Sequence, residues 1–149
     1  MIQTTQILDA VNQLLVDRLQ AKMVYVNRCP KDFERPSFWL ETVRRDTEDV
    51  NISTIRVTAH FSITCFISVD GYGNSDDMEL TDVQDSVVDL FHSGYITVGD
   101  RSLKVKANTA GYDNDRSYVE IQLEYFDDRP AEEEEAPVMD DLEMIFEKR

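Results

Sequence analysis

The segment from residue 52 to residue 69 constrains the fold more than any other part of this chain. Its apolar side chains occupy every second position, at Ile55, Val57, Ala59, Phe61, Ile63, Cys65, Ile67 and Val69. Alternation with a period of two is typical of a β-strand that buries one face and exposes the other. Strands usually contain about 3–10 residues. This run therefore predicts a strand that either bends at a bulge or extends beyond the core of its own domain.

Two other segments carry helical periodicity. Residues 5–20 form an amphipathic pattern, for which Thr4 or Thr5 is the expected N-cap. Its apolar positions are Ile7, Leu8, Val11, Leu14, Leu15 and Leu19. A second helix is expected after the turn at residues 71–77, and the capping-box spacing of Thr81 and Gln84 predicts that its regular part starts at Thr81. Its expected inward positions are Met78, Leu80, Val83, Val87, Leu90 and Phe91.

The remaining apolar segments predict strands. One covers residues 23–26, and one runs from the segment at 33–40 to about Arg45, where residues 46–50 are expected to form a charged turn. A hairpin turns at Gly99 and Asp100, and a final strand carries Val119, Ile121, Leu123 and Tyr125. The element order α-β-β-β-α-β-β-β predicts an α+β domain over residues 1–126, in which two helices pack on a mainly antiparallel sheet.

The composition changes after residue 126. Residues 127–149 are predicted to form an acidic linker and a short terminal helix that acts as a docking segment. The apolar stripe of that helix consists of Val138, Met139, Leu142, Ile145 and Phe146. A helix this short is marginal by itself. We expect it to dock either on its own domain or on a neighbouring subunit or partner, and the sequence leaves both open.

The charge of the chain excludes some partners. The formal net charge is −15, with twice as many acidic as basic residues. Sequence-independent affinity for nucleic acid depends on Lys and Arg, and so does binding to acidic lipid. Ordinary duplex binding and membrane association are therefore not expected. No apolar run approaches the ~18 residues of a membrane span, and the first residues lack the pattern of a signal peptide.

The sequence offers no recognisable chemistry. His60 and His92 have no nucleophile or acid at a suggestive spacing, and no phosphate-binding loop or metal-ligand spacing is present. A calcium loop starting at Asp70 fails because Ser75 stands where glycine is required. Cys65 is expected to be a buried free thiol. We therefore expect no enzyme, no catalytic residues, no cofactor and no metal.

The segment from Phe33 to Leu40 contains the only Trp of the chain. Pro36 suits the start of a strand, and it holds Arg35 extended at the rim. Phe38 and Leu40 then share one face of the strand, and Trp39 lies on the other. A Trp on the second face needs a cover, which its own chain or a partner must supply.

Residues 32–40 resemble the phage tail terminator family, which comprises neck proteins of phages, prophages and phage-tail-like particles of Gram-positive bacteria. The motif is a charged loop leading into Arg35-Pro36-Ser37-Phe38 at the start of a strand. Members are similar in opening with a helix and a short strand, and in following the motif with a long alternating strand and a second helix. The resemblance extends over residues 1–126, whereas the acidic linker and last helix depart from the usual short ending.

The resemblance implies a homo-oligomeric ring, expected to be a hexamer, that caps the tail tube, stops its polymerisation and offers a surface for head-side proteins. The implied partners are further copies of the chain, the tail tube protein, a head-tail connector or stopper protein and, in a contractile tail, the sheath protein. The implied location is the virion tail or neck, with assembly in the cytoplasm of the bacterial host.

Seven residues are the candidates for contacts between subunits or with partners. Arg35 is expected to pair with acids of a neighbouring subunit, and Phe33 and Trp39 to fill a pocket between subunits. The others are the apolar residues of the last helix, Met139, Leu142, Ile145 and Phe146.

Three alternatives remain at this point. The acidic charge is compatible with an inhibitor that mimics DNA and blocks a host nucleic-acid-binding protein, although many of the acids lie in turns and in the linker. Another neck protein, such as a head-completion stopper, fits the same features. A small enzyme with a dispersed site is the third.

In a ring, the acidic charge predicts a lumen through which DNA passes without binding. Reversing several of the acids to Lys is then expected to impair DNA delivery, which an infection or DNA-ejection assay measures. Unchanged delivery by such a variant would contradict the hypothesis.

Overall fold

The computed structural model of the chain describes residues 2–129, and it confirms the α+β fold and the predicted element order. The elements are α1 (Thr4–Leu19), β1 (Val24–Val26), β2 (Ser37–Asp49), β3 (Thr54–Phe66), α2 (Asp77–Asp89), β4 (Tyr95–Val98), β5 (Arg101–Tyr112) and β6 (Arg116–Asp128). The six strands form one sheet in the order β1-β2-β3-β6-β5-β4. Among the strand pairs of residues 2–129, β1–β2 is parallel and the other four are antiparallel.

The alternating run becomes β3, which lies at the centre of the sheet. Its apolar set from Ile55 to Cys65 faces the core, as predicted, but the strand ends at Phe66, and Val69 is exposed. The expected bulge occurs in the partner strand instead, between Thr42 and Arg44 of β2. Strand β3 is therefore regular over 13 residues, because both neighbours pair with it along its length.

The predicted turn at residues 46–50 is wrong, because β2 continues to Asp49. Each residue from Arg44 to Asp49 pairs with a residue of β3, so the charged segment is held in the sheet by its neighbour. The chain reverses at residues 50–53, where the Val50 N–H donates to the Thr54 carbonyl over 3.0 Å. Local polarity indicated a turn here, but the ladder with β3 prevails.

Helix α1 covers the core face of the sheet. Ile7, Leu8, Val11 and Leu15 are buried, and the helix contacts both edge strands, β1 and β4. A sheet whose two edges meet one helix must curve around it. The expected cap at Thr4 or Thr5 is wrong. The cap is Gln3, whose N–H donates to Oε1 of Gln6 over 2.8 Å, so a glutamine pair closes the first turn.

Helix α2 begins at Asp77, one turn before the predicted start at Thr81. Met78, expected to face inward, is exposed, whereas Leu80, Val87 and Phe91 are buried. The Thr81 hydroxyl donates to the Asp77 carbonyl within the helix, so it caps nothing. An aspartate-rich start is favourable because the N-terminal end of a helix attracts negative charge.

Gln84 of α2 is buried, and its side chain supplies hydrogen bonds to backbone carbonyls where the sheet pairing is interrupted. The pairing of β5 with β6 is interrupted between Thr109 and Tyr112. The Gln84 side-chain amide donates to the carbonyls of Gly111 and Tyr118, both over 2.8 Å. These two hydrogen bonds fasten α2 to the irregular part of the sheet.

Cys65 is a buried free thiol, as expected, and Cys29 is a free thiol at a partly exposed position. Burial raises the pKa of Cys65 to about 12. The Cys65 side chain therefore stays protonated and packs as a small apolar group.

The described chain ends against the β2–β3 turn. Strand β6 runs to Asp128, and Arg129 then bonds the turn through its backbone N–H to the Ser53 carbonyl (2.8 Å) and its Nε to the Ile52 carbonyl (3.0 Å). Its Nη2 donates to Asp49 Oδ1 (2.9 Å) and to the Asn51 carbonyl (3.0 Å). The division into residues 1–126 and 127–149 stays a prediction, and the terminal candidates Met139, Leu142, Ile145 and Phe146 lie outside the described residues.

Replacing Gln84 by Met is expected to lower the free energy of unfolding by about 1–2 kcal/mol, since two partly buried carbonyls then lose their donor. Urea unfolding followed by circular dichroism measures the change. The matched control is Asp85→Met, which adds the same side chain at the adjacent exposed position. Equal stability of Gln84→Met and the wild-type chain would show that these two hydrogen bonds contribute nothing.

Candidate subunit interface

The second face of the sheet, opposite the helices, carries the candidate interface. Most of the polar residues of the β3 alternation lie there, but at its end Thr64 and Phe66 are buried as well. The register places Trp39 beside Thr64, and Ser37 beside Phe66. Part of this face is therefore covered by the chain itself.

The loop before β2 supplies the cover through an aromatic stack. The rings of Phe33 and Phe66 lie 4.1 Å apart between centroids, at an interplanar angle of 28°. The guanidinium of Arg35 lies 4.8 Å from the centroid of Phe33, and that of Arg116 lies 4.8 Å from the centroid of Phe66. Two guanidinium cations thus lie against one stacked pair of rings. The cation–π attraction between them holds the arginine side chains against the rings. We call Phe33, Phe66, Arg35, Arg116 and Asp115 the aromatic–arginine cluster.

Asp115 joins the two arginines of the cluster. Its Oδ2 accepts from Arg35 Nη2 over 2.6 Å, and its two carboxylate oxygens accept from Arg116 Nε over 2.9 Å and Nη2 over 3.1 Å. Arg35 Nη1 also donates to the carbonyls of Ile67 and Asp115, each over 2.9 Å. The hydrogen bonds from Arg116 and Arg35 outweigh partial burial and hold the pKa of Asp115 below its usual range. A pKa below the ordinary value means that the Asp115 carboxylate is ionised at neutral pH.

Trp39 lies on the same face and is half-buried. Its backbone neighbours are Tyr25 of β1 and Thr64 of β3. The hydroxyl of Tyr25 accepts from the Glu34 N–H over 2.9 Å, which ties β1 to the loop before β2. The indole Nε1 of Trp39 is buried and has no hydrogen-bond partner among residues 2–129. Its own chain thus covers the expected second-face Trp in part.

The rest of the second face is polar and open. Asp46 accepts from Arg44 Nε over 3.0 Å, and its Oδ2 lies 3.3 Å from Nε2 of His60. Arg56 pairs with Glu48, and its Nε lies 3.6 Å from Glu124. The Arg44 hydrogen bond holds the pKa of Asp46 below its ordinary value. Such exposed pairs contribute little stability singly, but they give the face a defined charge pattern.

The described part of the chain, residues 2–129, contains no group of three or more His, Cys, Asp or Glu residues that could hold a metal ion. None of its helices is long and apolar enough to cross a membrane.

The structure brings together three of the seven candidates. Phe33 and Arg35 belong to the aromatic–arginine cluster, and Trp39 lies two residues along β2 from Ser37, the neighbour of Phe66. Arg35 pairs with Asp115 of its own chain, so an acid on a neighbouring subunit is not its only possible partner. Their roles between subunits stay predictions.

Sequence reasoning missed Phe66, Asp115 and Arg116. Phe66 occupies a polar-face position of the alternation, and this aromatic residue out of phase was the available signal. The pair of Asp115 and Arg35 spans 80 positions in the chain, and no local pattern indicates it.

The sequence matches a family model described as phage tail terminator protein, over residues 6–135. The chain belongs to the phage tail terminator family. No curated protein matches the sequence significantly. The family match covers every described element except the first residues of α1, so the resemblance noted for residues 32–40 extends through the whole domain.

Membership gives the chain a structural role in a phage tail. The family comprises structural proteins and is not known as a class of enzymes. It implies interaction with other proteins of the tail or neck, and a place in that part of the virion. A partly exposed cluster of aromatic and arginine side chains is consistent with this, since such residues are enriched where proteins bind each other.

Substituting Asp115 by Asn is expected to cost about 1–3 kcal/mol of unfolding free energy at pH 7, because two guanidinium groups lose their shared counter-charge. The unfolded pKa of Asp is about 3.9 and the folded pKa is lower. The stabilisation is thus complete above about pH 4 and is lost as the pH falls through the folded pKa. Urea unfolding at pH 3–7 is expected to show a constant wild-type advantage that shrinks only below about pH 4.

The control for this series is Asp85→Asn, which neutralises an exposed acid of α2. A wild-type advantage over Asp115→Asn that persists unchanged at pH 3 would rule out the carboxylate as its source.

Proposed function

We propose that the chain is the tail terminator itself: a closed ring, expected to be a hexamer, that caps the head-proximal end of the tail tube. The ring stops tube polymerisation and presents a surface to a head-tail connector or stopper protein. The observation that carries the proposal is the family match over residues 6–135, which covers the helices and strands described within residues 2–129 except for the first two residues of α1.

The difference between the two faces of the sheet supports assembly with other proteins or copies. The core face of the sheet is filled by α1 and α2, whereas the second face has no helix on it in the described chain. That face combines the aromatic–arginine cluster with open rows of charge. Other copies or virion proteins are the natural cover for such a surface.

We propose that Phe33, Arg35 and Trp39 act at the subunit contact through the parts that their own chain leaves accessible. Arg35 is held in place by Asp115, so it is presented to a neighbour in one fixed orientation. Pre-ordering of this kind reduces the entropy that association costs. The terminal residues Met139, Leu142, Ile145 and Phe146 are proposed as a second docking element, on the chain's own domain or on a neighbour.

The proposed partners are the tail tube protein, the connector or stopper and, in a contractile tail, the sheath protein, with DNA only passing through the lumen. A head-completion stopper is the alternative within the same class of virion proteins. It would bind the head-side portal instead of the tube end.

A second candidate function is an inhibitor that mimics DNA, and helix α2 favours it. Six acids and no Lys or Arg lie between residues 76 and 89: Asp76, Asp77, Glu79, Asp82, Asp85 and Asp89. One folded face thus carries uninterrupted negative charge. Native mass measurement separates the two candidates, since a mimic is expected to be a monomer or dimer in complex with a nucleic-acid-binding protein, and a terminator to form a closed ring alone or on tubes.

Deleting the gene from the producing phage or particle is expected to give tail tubes of excessive or variable length that do not join heads, because nothing then ends polymerisation. Negative-stain electron microscopy measures tube length and head attachment. Supplying the wild-type chain in trans is the control, and it should restore both. Tubes of normal length joined to heads in the deletion strain would contradict the proposal.

A further inference from the structure

We propose that neighbouring copies in the ring join by β-sheet pairing, in which the open edge of β2 from one copy pairs with the open edge of β5 from the next. The inference rests on the proposed ring and names the contact that builds it. The partner that pairs with each open edge is a second copy of this chain. The open edges are residues 43–49 of β2 and residues 106–110 of β5.

The outer edge of β2 is covered over only part of its length. Strand β1 pairs with Phe38, Trp39 and Leu40, and the last contacts on this side are the Asn27 N–H to the Leu40 carbonyl and the Thr42 N–H to Asn27 Oδ1. No strand within residues 2–129 lies beside residues 43–49 on that side. Every residue of the segment is exposed.

The direction of the free backbone groups in β2 follows from the register. Arg44, Asp46 and Glu48 lie opposite His60, Thr58 and Arg56 of β3, in phase with the Val50 N–H that donates to Thr54. Backbone groups alternate sides along a strand. Arg45, Thr47 and Asp49 therefore direct their N–H and C=O groups outward, where the described chain supplies no ladder partner.

The C-terminal part of strand β5 has the second open edge, on the side where β4 covers the N-terminal part. Strand β4 pairs only with residues 101–104, and the Val105 N–H still donates to the Gly94 carbonyl over 2.9 Å. Beyond that point, Lys106 and Asn108 pair inward with Gln122 and Glu120 of β6. Ala107 and Thr109 consequently direct their backbone groups outward, and within residues 2–129 no strand receives them.

The two open edges lie on opposite sides of the sheet and are offset along the strand direction. Residues 43–49 of β2 lie beside residues 55–60 of β3, whereas residues 106–109 of β5 connect through β6 to residues 60–63 of β3. The edges belong to opposite sides of the sheet, so one chain cannot pair them with each other. Two different edges make a head-to-tail contact, and repeating it by rotation closes a ring.

Strand direction and charge restrict the register, and the irregularity between Thr42 and Arg44 favours the alignment that avoids residue 43. Counting the antiparallel steps through β3 and β6, β5 runs antiparallel to β2, so a rotated neighbour keeps that antiparallel relation. Aligning Ala107 with Thr47 of the next copy matches the outward backbone groups and sets Thr109 against Arg45. The same alignment sets Lys106 opposite Glu48 on the second face, an opposite-charge cross-strand pair.

A long open edge is otherwise an aggregation hazard that proteins protect against. Neither edge brings Lys106 and Glu48 together when it pairs with its own copy, so this charge pair favours the heterologous contact. Pairing of an added strand gives affinity through the main chain and specificity through the side chains.

Cysteine crosslinking tests the register. In a Cys29→Ser background, the full-length chain carrying Thr47→Cys and Ala107→Cys is assembled, alone at high concentration and on tails, and then oxidised. Directly opposite residues lie ~4.5–5.5 Å apart between Cα atoms, within reach of a disulfide. We expect a ladder of covalent oligomers on a non-reducing gel. The matched control is Thr47→Cys with Asn108→Cys, which places the second cysteine on the opposite face, keeps Lys106 in place and is expected to give no ladder.

Charge reversal tests the proposed pair of Glu48 and Lys106 independently of crosslinking. Glu48→Lys and Lys106→Glu are each expected to raise the protein concentration for half-assembly roughly fivefold, and the double variant to restore it. Glu124→Lys is the matched control, since it makes the same charge change beside the same Arg56 away from either edge. Analytical ultracentrifugation or native mass spectrometry measures assembly.

The outcomes separate this inference from the proposed function. A ladder together with rescue by the double variant supports edge pairing. Closed rings on tubes without a ladder and without an effect of reversal overturn the edge pairing and leave the terminator proposal standing. Tubes that end without any ring of this chain overturn both.

Discussion

Pairing of β3 on both sides is the interaction on which the rest of this structure depends. All thirteen residues of the strand are matched by β6, and nearly all by β2. Its odd-numbered side chains from Ile55 to Cys65 fill the core under the helices. In a central strand, the backbone N–H and C=O groups form hydrogen bonds with both neighbouring strands. The central strand therefore fixes the register of those neighbours. The positions of Trp39 and Arg116 follow from that register.

The two faces of the sheet perform different physical tasks. The core face gains stability from apolar burial beneath α1 and α2. On the second face, Phe33 lies on Phe66, and two arginines and a shared carboxylate surround the two rings. This cluster holds the loop before β2 against the end of the sheet. A rigid loop of this kind is well suited to a protein whose work is to fit other copies and other tail proteins.

Local pattern predicted much of the fold but little of the site. The periods of α1, β3 and β6 are visible in the sequence because each buries one continuous face. The extent of β2 is not visible in the sequence. Residues 46–49 have the polar composition of a turn, and only their pairing with β3 makes them part of the strand. Gln84 resembled a capping residue, and its real role depends on a sheet irregularity 27 and 34 positions away. The link between Arg35 and Asp115 likewise exists only after the fold has formed. Contacts over such separations have no periodic signature.

The clasp of Arg129 on the β2–β3 turn has a mechanical consequence. Without it, a pull on the chain beyond residue 129 would peel β6 from β3 one residue pair at a time, starting at Asp128 and Thr54. With it, the load is shared among four hydrogen bonds to residues 49–53 and passes into two strands together. The domain can therefore bear tension from whatever grips its last residues, without losing its final strand first.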